Sequence, residues 1–177
     1  MSTVTSRPMS LFAVEFDELF ARHLCRHSQL GINVVHLAAL FGVWFGVYGA
    51  VYWLVQTEWV PIALAALYLL AVAVNVPLRV TVACAFILAL FVTAVLGLPQ
   101  LPLWAYLLMI PVFYKIQSWS HKVWTVEHDM TDFNKKYTKG SVLFVILLIY
   151  EVPIVLHYLL FSGRSGSVSD QSLENSA

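Results

Sequence analysis

The sequence predicts an all-α integral membrane bundle of about five transmembrane helices, preceded by an interfacial amphipathic helix. Three observations lead there. Of the 177 residues 60% are hydrophobic and 11% charged, with a mean hydropathy of +0.78, too apolar a balance for a soluble domain. Apolar runs close to the ~20 residues needed to cross a ~30 Å hydrocarbon core recur along the chain with short turns between them. Away from the two ends, only one long passage is polar, Gln117 to Gly140, and it gathers two histidines, three acids and four lysines.

Taken in order, residues 1–10 are polar and expected to be disordered. From Leu11 the apolar positions Phe12, Phe16, Leu19, Phe20 and Leu24 recur near helical spacing with Glu15, Glu18, Arg22 and Arg26 between them. That pattern predicts an amphipathic helix along the membrane surface to about Gln29. Its acids also interrupt any apolar core of a cleavable signal. Gly31 and Asn33 punctuate the way into a first span ending near Gln56. Spans at about 59–76 and 78–98 form a tight hairpin across the turn Asn75-Val76-Pro77. Pro99 and Pro102 bracket the next turn, a fourth span runs from Leu103 into Trp119, and a fifth from Ser141 to about Phe161, carrying Glu151 and Pro153. The membrane domain is thus residues 11–162, followed by a Gly/Ser-rich tail, 163–177, expected to be disordered.

Five spans place the termini on opposite sides, and nine of the ten lysines and arginines then fall on the N-terminal side. Such an asymmetry predicts a cytoplasmic N-terminus, in a bacterial inner membrane or the endoplasmic reticulum. The same topology puts His23, His27, His36, His121 and His128 at the cytoplasmic level, with His157 toward the other end of the fifth span. Formal net charge is zero and no nucleic-acid motif is present, so no nucleic-acid partner is expected. Cys25 and Cys84 lack the spacing of a thiolate metal site.

Imidazole is the commonest protein ligand for Fe(II), Zn(II) and related ions, and here several helices can offer it at one level. His23 and His27 are four apart, one turn on one helix face, and His121 and His128 are seven apart. Glu127, Asp129 and Asp132 can serve as ligands or as acceptors that fix the imidazole tautomers. The simpler alternative is that polar residues collect where helices leave the membrane. Lys135, Lys136 and Lys139, with Arg26, are candidates for holding a substrate carboxylate, or else simply meet anionic headgroups.

A histidine-bearing helix before the first span, Asn33 ahead of His36, and Gln117-Ser118-Trp119-Ser120-His121 closing a later span together resemble the small multi-pass 2-hydroxy fatty acid dioxygenases. The resemblance implies Fe(II) bound by His27, His36 and His121, with His23 a further candidate, and Asn33 and Gln117 supporting the ligands. It implies dioxygen and a membrane fatty acyl substrate, with a 2-hydroxy fatty acid shortened by one carbon. The spacing departs from that pattern: Asn33 precedes His36 by three residues rather than four, and Thr125 stands where an acid is expected. Two other classes remain. One is a di-iron lipid hydroxylase or desaturase, whose first histidine box His23-x-x-x-His27 resembles, although no HxxHH box follows. The other is a non-catalytic lipid-binding or assembly protein of the membrane.

Overall fold

The computed structural model describes residues 14–124 and 140–162, and within them it is all-α: α1 (Phe16–His27), α2 (Leu30–Val55), α3 (Trp59–Ala73), α4 (Leu78–Gly97), α5 (Leu103–Val123) and α6 (Ser141–Leu160). Proline opens α4 and α5 from the N-cap, at Pro77 and Pro102, where its fixed φ suits a helix start and its missing N–H costs nothing. Helix α1 begins with Asp17 and Glu18 and carries Arg26 in its last turn, charges that oppose its dipole at both ends.

Three described helices, α2, α4 and α6, are long and apolar enough to cross a membrane, fewer than the five the sequence predicts. Each of the others falls short for its own reason. Helix α3 has 15 residues, which at ~1.5 Å per residue is well short of ~30 Å. Helix α5 has the length, but its last turns carry Lys115, Gln117, Ser118, Ser120, His121 and Lys122. Gly31 and Asn33 do not interrupt the chain either; both lie inside α2, and Asn33 is fully buried.

Helix α5 lies antiparallel on α2 at close range. A Cβ added to Gly31 would meet Trp124 at 2.6 Å, one on Gly42 would run into the Phe113 ring, one on Gly46 would meet the Tyr106 carbonyl at 2.7 Å, and one on Gly49 would run into the Tyr106 ring. Gly42, Gly46 and Gly49 fall on one helix face, a small-residue stripe that lets two membrane helices approach.

Helix α6 is also antiparallel to α2: the Tyr158 hydroxyl donates to Ser28 O at 2.6 Å, and Glu151 sits 3.8 Å from His36. Helices α5 and α6 therefore run in the same direction. This corrects the expected alternation. His157 stacks on Phe16 and Phe20 of α1, with centroids 5.5 and 4.5 Å away, and Arg79 lies over the Phe161 ring. His157 thus belongs to the α1 end of the bundle and not to the opposite end. Aromatic contact with α1 fixes that direction, a tertiary preference invisible to hydropathy. The main apolar core joins α1, α3, α4 and α6 through residues such as Leu19, Val72, Val80, Cys84 and Tyr150.

Candidate metal centre

Helices α1, α2 and α5 bring His27, His36 and His121 together, with one nitrogen of each within 4.8 Å of the others. The three rings meet edge to face, with centroids 4.5 to 4.9 Å apart. Backbone carbonyls one turn back set two of the tautomers. His36 Nδ1 lies 3.0 Å from Ile32 O, and His27 Nδ1 lies 3.2 Å from His23 O. Each Nδ1–H is donated there, so each Nε2 keeps its lone pair. Ser120 supports the same arrangement. Its hydroxyl donates to Gln117 O at 2.7 Å and so offers only lone pairs to His36 Nδ1, 3.2 Å away.

The consequence is electrostatic. His27 Nε2 and His36 Nε2 stand 3.1 Å apart, and with both lone pairs outward neither has a hydrogen to share. Two nitrogens each ~2.0–2.1 Å from one ion, at tetrahedral or octahedral angles, lie ~2.8–3.4 Å apart. The pair is therefore spaced as neighbouring ligands of one cation, and an all-nitrogen set suits Fe(II) or Zn(II). Burial, with smaller contributions from neighbouring histidines, pushes His27 down to about 2, so it remains neutral and able to ligate. Burial likewise pushes His23 down to about 4.

His23 does not join the group. Its ring stacks on His27 at 4.2 Å, and its Nε2–H is donated to Asn33 Oδ1 at 2.7 Å. As a ligand through Nε2 it is out of place, because Asn33 holds that nitrogen away. The Asn33 amide also donates to His27 O at 2.6 Å and Gln29 O at 2.9 Å, tying the end of α1 to α2. Gln117 acts on Glu151, donating to Oε1 at 2.7 Å, and reaches His36 through Ser120. Arg26 is exposed and lines the cavity beside the cluster. His128, Glu127, Asp129, Asp132, Lys135, Lys136, Lys139 and Thr125 lie outside the described residues.

Compared with protein-family models, curated proteins and solved structures, the chain matches none.

The cluster opens into a cavity of about 550 Å³. Arg22, Arg26, Gln117 and Glu151 join the histidines at its polar end, and Val43, Ile110, Leu147 and Leu148 line its apolar part. Two contributors carried little sequence signal. Ser120 gains meaning only once α5 turns it toward His36. Arg22 reads as one more charge on an amphipathic helix until α1 docks over the cavity. Glu151 in an apolar span did carry a signal, the cost of a carboxyl at membrane depth, but not the address of its partner.

Proposed function

We propose that the protein is a membrane-embedded, Fe(II)-dependent dioxygenase that shortens 2-hydroxy fatty acids by one carbon. The observation that carries this reading is the three-imidazole cluster at the polar end of a cavity whose remainder is apolar. The motif Gln117-Ser118-Trp119-Ser120-His121, which contributes one of the three imidazoles, adds the resemblance to a dioxygenase family. When bound, Fe(II) would supply dioxygen activation and positions for the two oxygens of a 2-hydroxycarboxylate.

The chain's own residues do the remainder. His27, His36 and His121 hold the ion, and the carbonyls of His23 and Ile32 keep the lone pairs of His27 and His36 turned toward it. Arg22 and Arg26 place positive charge where an acid head would arrive. Glu151, held by Gln117, faces the same space and is the carboxylate positioned to accept a proton from a substrate hydroxyl. The walls at Val43, Ile110 and Leu147 take the acyl chain and exclude water.

In this reading the α1 end of the bundle faces the cytoplasm. All five lysines and arginines among the described residues, Arg22, Arg26, Arg79, Lys115 and Lys122, lie toward that end.

The test is conversion of a 2-hydroxy long-chain acid by membranes containing the protein. Formation of the acid one carbon shorter, requiring Fe(II) and oxygen and lost in His36→Ala and His121→Ala, is expected. A product of unchanged chain length with a new hydroxyl or double bond would move the assignment to a hydroxylase or desaturase. Wild-type activity in both variants would remove the metal site from the chemistry.

A further inference from the structure

Helices α5 and α6 wall the cavity from two sides with no extensive backbone contact between them, joined at the polar end by the Gln117–Glu151 hydrogen bond. Helix α5 rests on α2, whereas α6 packs on α1, α2, α3 and α4. A seam between α5 and α6 is therefore closed by side chains alone. Tyr114 from α5 and Phe144 from α6 both line the cavity, and both are largely open to the outside, at 62% and 65% exposure. Leu148, one turn from Phe144 on α6, shares both properties at 37%. Residues that line a cavity and also face outward mark its mouth.

What lies outside that mouth follows from its neighbours. Val112 on α5 and Val145 on α6 are exposed and apolar, so the surface flanking the seam suits lipid. Tyr114 is seven residues before His121, ~10 Å along the helix, so the mouth sits below the level of the histidines. The cavity is then reached from the side, at acyl-chain depth, with its polar end nearer the headgroup level. Arg22 and Arg26 at that polar end select for negative charge. A cavity of about 550 Å³ reached through a gap between two helices suits one chain better than the two of a phospholipid.

We propose that the seam framed by Tyr114, Phe144 and Leu148 is a lateral portal. Through it a single-chain amphiphile with an anionic head slides from the bilayer into the cavity, its head coming to rest at Arg22 and Arg26. The proposal deepens the functional reading by naming the path and the head charge. It rests on that reading only for the chemistry that follows, since binding of the chain needs no metal.

The experiment uses metal-free full-length protein in phosphatidylcholine nanodiscs, with Cys25→Ala and Cys84→Ala removing the native thiols. Spin labels are placed through Tyr114→Cys, Phe144→Cys and, as a control on the outer face of α4, Leu90→Cys. Stearic acid, octadecanol and dioleoyl phosphatidic acid are the probes. Stearic acid should immobilise the labels at 114 and 144 and leave the label at 90 unchanged. Leu148→Trp should slow binding at least tenfold. Arg22→Gln should weaken stearic acid at least tenfold, leave octadecanol unchanged, and be rescued in large part by Arg22→Lys.

Labels at 114 and 144 relaxed more by a water-soluble nickel complex than by oxygen would overturn the lateral path. So would stearic acid binding at unchanged rate in Leu148→Trp. Equal loss of acid and alcohol in Arg22→Gln, or phosphatidic acid binding as tightly as stearic acid, would overturn the head charge or the single chain. Failure of the metal reading would appear separately, as stearic acid binding normally to a protein that takes up no iron.

Discussion

Asn33→Ala should detach α1 from the bundle without removing a proposed ligand side chain. The side chain is fully buried and makes three hydrogen bonds, from His23 Nε2–H and to the carbonyls of His27 and Gln29. At about 1 kcal/mol net for each, their loss costs about 3 kcal/mol, and desolvated partners left unpaired push the figure upward. That energy corresponds to an increase of about 100-fold in the population with α1 undocked. Because His27 enters the cluster from α1, metal affinity should fall about 10- to 100-fold as well, the usual range for residues that orient ligands. Asn33→Asp keeps the acceptor for His23 but loses both donors, so about two thirds of the cost should remain. Hydrogen exchange of the amides in α1 reads the undocking, and metal titration reads the affinity. A change below about 0.5 kcal/mol with α1 still protected would refute the account of how α1 is held.

Gly46→Leu should destabilise the α2–α5 contact by at least about 2 kcal/mol, since any Cβ meets the Tyr106 carbonyl at 2.7 Å; Gly97→Ala, with open space around it, should be neutral or slightly stabilising in the same thermal unfolding assay. Metal-free protein should lose stability as pH falls below about 6.5. His23 and His27 are held at about 4 and about 2 when folded, so the unfolded chain binds protons first, and stability present at higher pH declines by about 1.4 kcal/mol per unit per histidine down to about pH 4. Denaturation midpoints at pH 7.5, 6 and 5 measure this, and a flat profile would contradict the burial of the pair. A reporter after Phe161 should give the same side of the membrane as one at the N-terminus, because α6 ends beside α1.

How much of this was legible in the sequence divides along physical lines. Helical class and most boundaries were, because hydropathy and proline punctuation act locally: α4 and α6 begin where Pro77 and Gly140 end the turns. His27 of the HxxxH pair and His121 of the Gln-x-x-x-His segment do converge with His36, whereas His23 does not. Helix direction was not legible. Alternating spans were the simplest continuation, and it is the stacking of His157 on Phe16 and Phe20, the bond from Tyr158 to Ser28 and the approach of Glu151 to His36 that set α6 parallel to α5. His23 and His27 look equivalent as a pair on one helix face. Asn33, ten residues after His23, separates them by claiming one Nε2–H. The glycines at 42, 46 and 49 act through close helix packing, which a count of apolar residues does not register.

The proposed metal centre joins His27, His36 and His121 around one ion. Its most direct test is metal content of the purified protein after reconstitution with Fe(II), combined with X-ray absorption of the bound ion. A single ion per chain with imidazole nitrogens at ~2.0–2.2 Å, retained in His23→Ala and lost in both His36→Ala and His121→Ala, is the expected result. An ion-free wild-type protein at saturating Fe(II), or an ion that survives loss of both His36 and His121, would contradict it.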